Sequence, residues 1–123
     1  MNIYLVRHGE SIGNLNRTHQ GENVPLSEEG KNQVAKLAKK LKNKDIDVIY
    51  ASPHLRTRET AEIISHELNL PIEFWDQLKE RKRPSEIEGL SYDDALANQI
   101  NKITKIHQIK ADCKFSDDES FNE

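Results

Sequence analysis

Cysteine is nearly absent. Cys113 stands alone among 123 residues, so no internal disulfide can form, and with no CxxC context the chain suits a reducing cytosol. Long hydrophobic runs are missing too. The first apolar stretch, Ile3 to Val6, is far too short for a signal-peptide core or a membrane span, and no basic leader precedes it. This predicts a cytoplasmic protein without membrane attachment. Neither sign of charge dominates: 18 Lys and Arg against 21 Asp and Glu leave a net charge of -3, scattered along the chain. No electrostatic footprint for nucleic acid stands out, so any anion must be captured locally. Only Lys79, Arg81, Lys82 and Arg83 concentrate positive charge.

Metal and nucleotide signatures are lacking as well. Gly30-Lys31 has no preceding P-loop glycine and is followed by Asn32, and no GxGxxG occurs. His66-Glu67 meets Leu70 where a metalloprotease helix places its second histidine, and the five histidines have no ligand spacing. No metal and no cofactor are expected. With 35% hydrophobic and 32% charged residues, residues 1–123 read as one small domain, whose modest core makes the loss of any element matter.

What is present alternates. Ile3-Tyr4-Leu5-Val6, a continuous apolar run ending at Arg7 and Gly9, reads as a first strand buried on both faces. Ser27 is placed to cap a helix with Glu28 and Glu29 in its first turn, and Val34, Leu37, Ala38 and Leu41 form its apolar stripe. Asp47 to Ala51 reads as a second strand. Ser52-Pro53 then opens a helix that runs to about Leu68, ended by Asn69 and Pro71, and Ile72 to Trp75 supplies a third strand. Beyond Gly89, Ser91 with Asp94 resembles a capping box for a helix carrying Leu96, Ile100 and Ile103, and the tail from Asp112 is acidic. Strand, helix, strand, helix, strand predicts an α/β domain with a parallel sheet.

In such sheets ligands bind beyond the carboxyl ends of the strands. Three polar clusters lie there: Arg7 to Ser11, Ser52 to Arg58, and Glu80-Arg81. Gly9 lets the backbone beside His8 approach an anion closely. Arg56, expected one turn into a helix beginning at Pro53, brings a second guanidinium. Two planar cations and the Asn14 amide suit a phosphoryl group in line with His8. By contrast, Arg58 and Glu59 read as a solvated helix face, His54, His66 and His107 as surface or packing residues, and Trp75 as core; His19, Gln20 and Glu22 lie in a loop able to line the site.

Leu5-Val6-Arg7-His8-Gly9-Glu10-Ser11 followed by Asn14 resembles the signature of the histidine phosphatase superfamily. Pro25 to Gly30 is similar to the family's next stretch, Ser52 to Ala61 to its second motif, and Leu78-Lys79-Glu80-Arg81 to its third. The resemblance implies a parallel-sheet α/β/α sandwich of the phosphoglycerate-mutase-like type. His8 would form a phosphohistidine, Arg7 and Arg56 with Asn14 would hold the phosphate, and Glu80, partly buried beside that anion, would protonate the leaving oxygen. Gln20, Gly21, Arg81 and Arg83 are candidates for contact with substrate.

The family's second histidine, in a segment resembling Val-Val-Ser-His-Gly, has no counterpart here, and Asp118-Glu119-Ser120-Phe121 resembles the turn that precedes it. The resemblance therefore implies a C-terminal part missing and a chain truncated before a strand that sits between the first and second strands named above. Those strands would then close together, leave an open edge or self-associate with another chain. The implied function is a phosphomonoester phosphatase acting on a small phosphorylated metabolite or phosphoprotein, with inorganic phosphate as a further ligand. Mutases of the family resemble Glu-Arg-His-Tyr-Gly where this chain has Glu80-Arg81-Lys82-Arg83-Pro84. A mutase and a noncatalytic phosphate-binding fragment remain the alternatives.

Overall fold

The structure, a computed structural model, describes residues 1–108. In chain order its elements are α1 (Ile12–Leu15), α2 (Glu28–Leu41), β1 (Ile49–Ala51), α3 (Leu55–Leu68), β2 (Ile72–Phe74) and α4 (Ala95–Gln108), with short 3-10 turns at Asp76–Leu78 and Ser85–Ile87. Two compact units result: Met1–Ile12 with Glu22–Lys79, and Gly13–Gly21 with the described residues from Glu80.

In the first unit, α2 starts because Ser27 caps it, its hydroxyl accepting the Gly30 N–H at 3.0 Å, while Glu28 and Glu29 sit favourably at the positive end of the helix dipole. Its stripe Val34, Ala38 and Leu41 is buried with Leu26 and with Ile64 of α3, and Ile49 of β1 packs on the same core. Each Val, Leu or Ile so buried contributes about 1.5–3 kcal/mol. β1 and β2 pair in parallel, Ile49 opposite Ile72 and Ala51 opposite Phe74, and α3 packs on both strands. This is a βαβ unit, and parallel register brings both strand ends to one edge.

Several expectations are corrected. Ile3 to Val6 is not a strand: the segment joins no ladder, and Ile3 and Leu5 are 73% and 95% exposed. A strand buried on both faces needs a paired neighbour, and among the described residues none stands beside it. β1 pairs only with β2 among those residues, which leaves its other edge without a ladder there. α3 begins at Leu55 instead of Pro53, since the Ser52 hydroxyl takes the His54 N–H (3.4 Å) in a local turn, and the His54 carbonyl is the first to accept helical N–H groups, from Thr57 and Arg58. Its end is as expected: Asn69 adopts a left-handed cap at φ 53°. Trp75 is not core. It is exposed and tilts against Tyr50 with ring centroids 4.4 Å apart, because alternation turns Tyr50 away from the face where Ile49 meets the helices.

In the second unit Ile87, Ala97 and Ile100 form a small core with Leu90 packed against it. The cap of α4 is Asp94, whose carboxylate accepts the Ala97 N–H at 2.9 Å; Ser91 instead takes the Asp93 N–H. Leu96 and Ile103 are exposed, whereas Ala97 and Ile100 of the same helix pack with Ile87 and Leu90. Among the described residues no helix is long and apolar enough to cross a membrane. Cys113 and the segment Asp118 to Phe121 lie outside the described residues.

Candidate active site

The loop bearing His8 is clamped by close backbone packing against α2. A Cβ on Gly9 would lie 2.5 Å from the Gly30 carbonyl oxygen, and one on Gly30 would lie 1.9 Å from the Glu10 carbonyl oxygen. Only glycine fits at both positions. Hydrogen bonds complete the clamp. The Ser27 N–H donates to the Glu10 carbonyl (2.8 Å), the Ser27 hydroxyl donates to Glu10 Oε1 (2.7 Å), and the Glu10 N–H donates to Gln33 Oε1 (3.1 Å). Glu59, expected to be a solvated residue, instead accepts the Leu26 N–H at 2.7 Å. Arg58 is exposed and lies over the Phe74 ring at 4.7 Å.

One hydroxyl ties this loop to the helix carrying Arg56. The Gly9 N–H donates to Thr60 Oγ1 at 3.3 Å, and that hydroxyl donates to the Arg56 carbonyl at 2.8 Å. His8 Nδ1 lies 2.7 Å from the Gly9 carbonyl oxygen. A carbonyl only accepts, so Nδ1 carries the proton and the neutral ring keeps the lone pair on Nε2. Arg56, the second residue of α3, is only 2% exposed, and its Nη2 lies 3.3 Å from His54 Nδ1. Arg7 is exposed and bonded to neither His8 nor Arg56.

The remaining predicted residues, Asn14, Gln20, Gly21, Glu80, Arg81 and Arg83, belong to the second unit. There the Gln20 side chain packs over Gly13, where a Cβ would meet Gln20 Cγ at 2.3 Å, and Gly21 abuts the Glu88 carboxylate. The His19 N–H donates to the Leu90 carbonyl and the Gly89 N–H to the His19 carbonyl, so the 19–21 loop is bonded to residues 89–90. Burial, and secondarily the Arg83 guanidinium, hold His19 below its ordinary pKa. Asn101 Nδ2 lies 3.3 Å from its Nε2, an amide donor that selects the neutral ring. Glu80 is exposed, so the partial burial expected of it is not found; it lies in an irregular stretch after the turn Asp76–Leu78. Lys79, in the first unit, is engaged by Asp76 at 3.2 Å and Glu22 at 4.0 Å.

Three contributors were missed from sequence: Thr60, Gly30 as a packing site, and His54. A mid-helix threonine carries no signal of its own, whereas a glycine inside a strongly amphipathic helix was a visible anomaly.

The profile of the histidine phosphatase superfamily (branch 1) matches residues 3–123. The chain belongs to this superfamily. It is 38% identical over 104 residues to an uncharacterized phosphatase, PhoE, of Bacillus subtilis, an alignment covering 84% of this chain and 49% of that protein. It is 40% identical over 90 residues to a probable phosphatase of Schizosaccharomyces pombe, covering 72% and 32%. Among solved structures, Bacillus stearothermophilus YhfR superposes with a TM-score of 0.70 at 33% identity, over 85% of this chain and 51% of that one. A putative alpha-ribazole-5'-P phosphatase of Escherichia coli shares the fold, with a TM-score of 0.77 at 22% identity over 95% and 58%. This histidine phosphatase chain thus spans about half the length of the first of these relatives and less of the second.

Proposed function

We propose that the chain carries the phosphate-transfer residues of a phosphomonoester phosphatase working through a phosphohistidine at His8 on a small phosphorylated metabolite or phosphoprotein. The observation that carries this reading is the His8 ring itself. Its Nδ1–H is committed to the Gly9 carbonyl at 2.7 Å, which leaves the Nε2 lone pair to attack phosphorus, on a loop clamped by Gly30 and Thr60. The P–O ester bond breaks as the P–N bond forms, Glu80 gives its proton to the departing oxygen, and water then releases orthophosphate from His8. Arg7, Arg56 and Asn14 neutralise the nonbridging oxygens, which is most of what phosphoryl transfer requires. Gln20, Gly21, Arg81 and Arg83 are assigned to substrate contact, and inorganic phosphate is the product ligand.

A mutase is the second reading, favoured by the 46% identity over 66 residues to a probable phosphoglycerate mutase of Photorhabdus laumondii; Lys82-Arg83-Pro84 after Glu80-Arg81 favours the phosphatase. The test is labelling with a radioactive phosphate ester. Acid-labile, base-stable label should appear on the wild-type chain and vanish in His8→Ala, and Arg56→Ala should slow labelling about 10²–10³-fold. Equal label on His8→Ala, or none on wild type, would refute the proposal.

A further inference from the structure

We infer that His54 is a positioning residue which aims the Arg56 guanidinium, a role that rests on reading Arg56 as a phosphate ligand. His54 stands at the N-cap of α3, two residues before Arg56, and is only 7% exposed. Arg56 Nη2 lies 3.3 Å from His54 Nδ1. A guanidinium has donors and no acceptor, so Nδ1 must be the accepting nitrogen and the ring proton must sit on Nε2. That edge of the ring faces Glu22, with Nε2 3.8 Å from Oε1. The separation is too long for a hydrogen bond, and with the ring buried but the Glu22 side chain 57% exposed, what acts across it is a solvent-screened attraction.

Glu22 is itself held. Its carbonyl accepts the Leu55 N–H at 2.9 Å, and its carboxylate lies 4.0 Å from Lys79 Nζ. The order is therefore carboxylate, imidazole, guanidinium. The carboxylate favours the tautomer with the proton on Nε2, and that tautomer presents its bare Nδ1 to Arg56. The same logic orients metal-binding histidines through an outer carboxylate. An arginine side chain is rich in rotamers, and ordering it during folding spares that entropy when an anion arrives. A side chain at position 54 that cannot accept would remove one of the contacts that orient the Arg56 guanidinium.

The experiment uses the 123-residue chain with inorganic phosphate as probe, followed by phosphorus NMR line broadening, and nitrogen NMR of the histidine rings. Wild type should show a bare Nδ1 on His54. His54→Leu should weaken phosphate binding about tenfold, the loss of one hydrogen bond to a charged group. His54→Gln, with an accepting amide oxygen, should recover most of that affinity, and His54→Leu should add nothing on an Arg56→Ala background. A proton found on Nδ1 of wild-type His54 overturns the inference even if the leucine variant misfolds. Phosphate affinity unchanged in His54→Leu but lost in Arg56→Ala overturns the positioning role alone. Affinity unchanged in Arg56→Ala, or absent in wild type, brings down the phosphate-site reading and the role of His54 with it.

Discussion

Replacing Gly30 by alanine should destabilise the first unit, although by helix propensity alone it ought to help. In an exposed helix interior, alanine is favoured over glycine by about 0.8–1 kcal/mol. Here the added methyl would lie 1.9 Å from the Glu10 carbonyl oxygen and 2.9 Å from its nitrogen. Backbone cannot rotate away as a flexible side chain can, so the His8 loop must move. Forcing an extra carbon into a packed site costs about 1–3 kcal/mol. The shift also loosens the Ser27-to-Glu10 bond of 2.8 Å and the Gly9-to-Thr60 bond of 3.3 Å, at about 0.5–1.5 kcal/mol each. The net loss should be about 1–5 kcal/mol. Trp75, the single tryptophan, lies in this unit and reports its unfolding in urea by fluorescence. Phosphate labelling of His8 should fall further than the folded fraction does. Asn32→Ala, at an exposed position of α2, is the control and should gain a few tenths of a kcal/mol. A Gly30→Ala chain as stable as wild type, with an unchanged urea slope, would refute the close-packing argument.

Two other outcomes are expected. Thr60→Val removes the hydroxyl between Gly9 and Arg56 and strands a buried N–H, which should cost about 1–3 kcal/mol and slow labelling, while Thr60→Ser should restore both; urea midpoints of the two variants check it, and equal midpoints contradict it. His19 is held below its ordinary pKa of about 6.5 by burial first and Arg83 second. The unfolded chain therefore takes up the proton first, so stability is intact above that value and declines as pH falls through it toward the lower folded pKa. Proton NMR titration should find His19 below the ordinary value, and Arg83→Gln should move it upward; no movement would show that the guanidinium does not act on it.

The amino-acid sequence alone determined the family, the α/β alternation, α2 with its Ser27 cap, and the left-handed stop at Asn69, because these depend on short-range periodicity and on motifs whose residues are near neighbours. It also offered His8, Arg7 and Arg56 as candidates, since histidine and arginine beside a glycine, and an arginine in the first turn of a helix, are chemically conspicuous. The state of Ile3 to Val6 was decided only in three dimensions: an apolar run becomes a strand when another backbone pairs with it, and that partner is a tertiary fact. Likewise Thr60, His54 and the contact between Gly9 and Gly30 act across 51, 32 and 21 residues of chain or through a neighbour's geometry. No local pattern encodes a hydroxyl that ties a loop to a helix, because the distance that makes the bond exists only after both have packed.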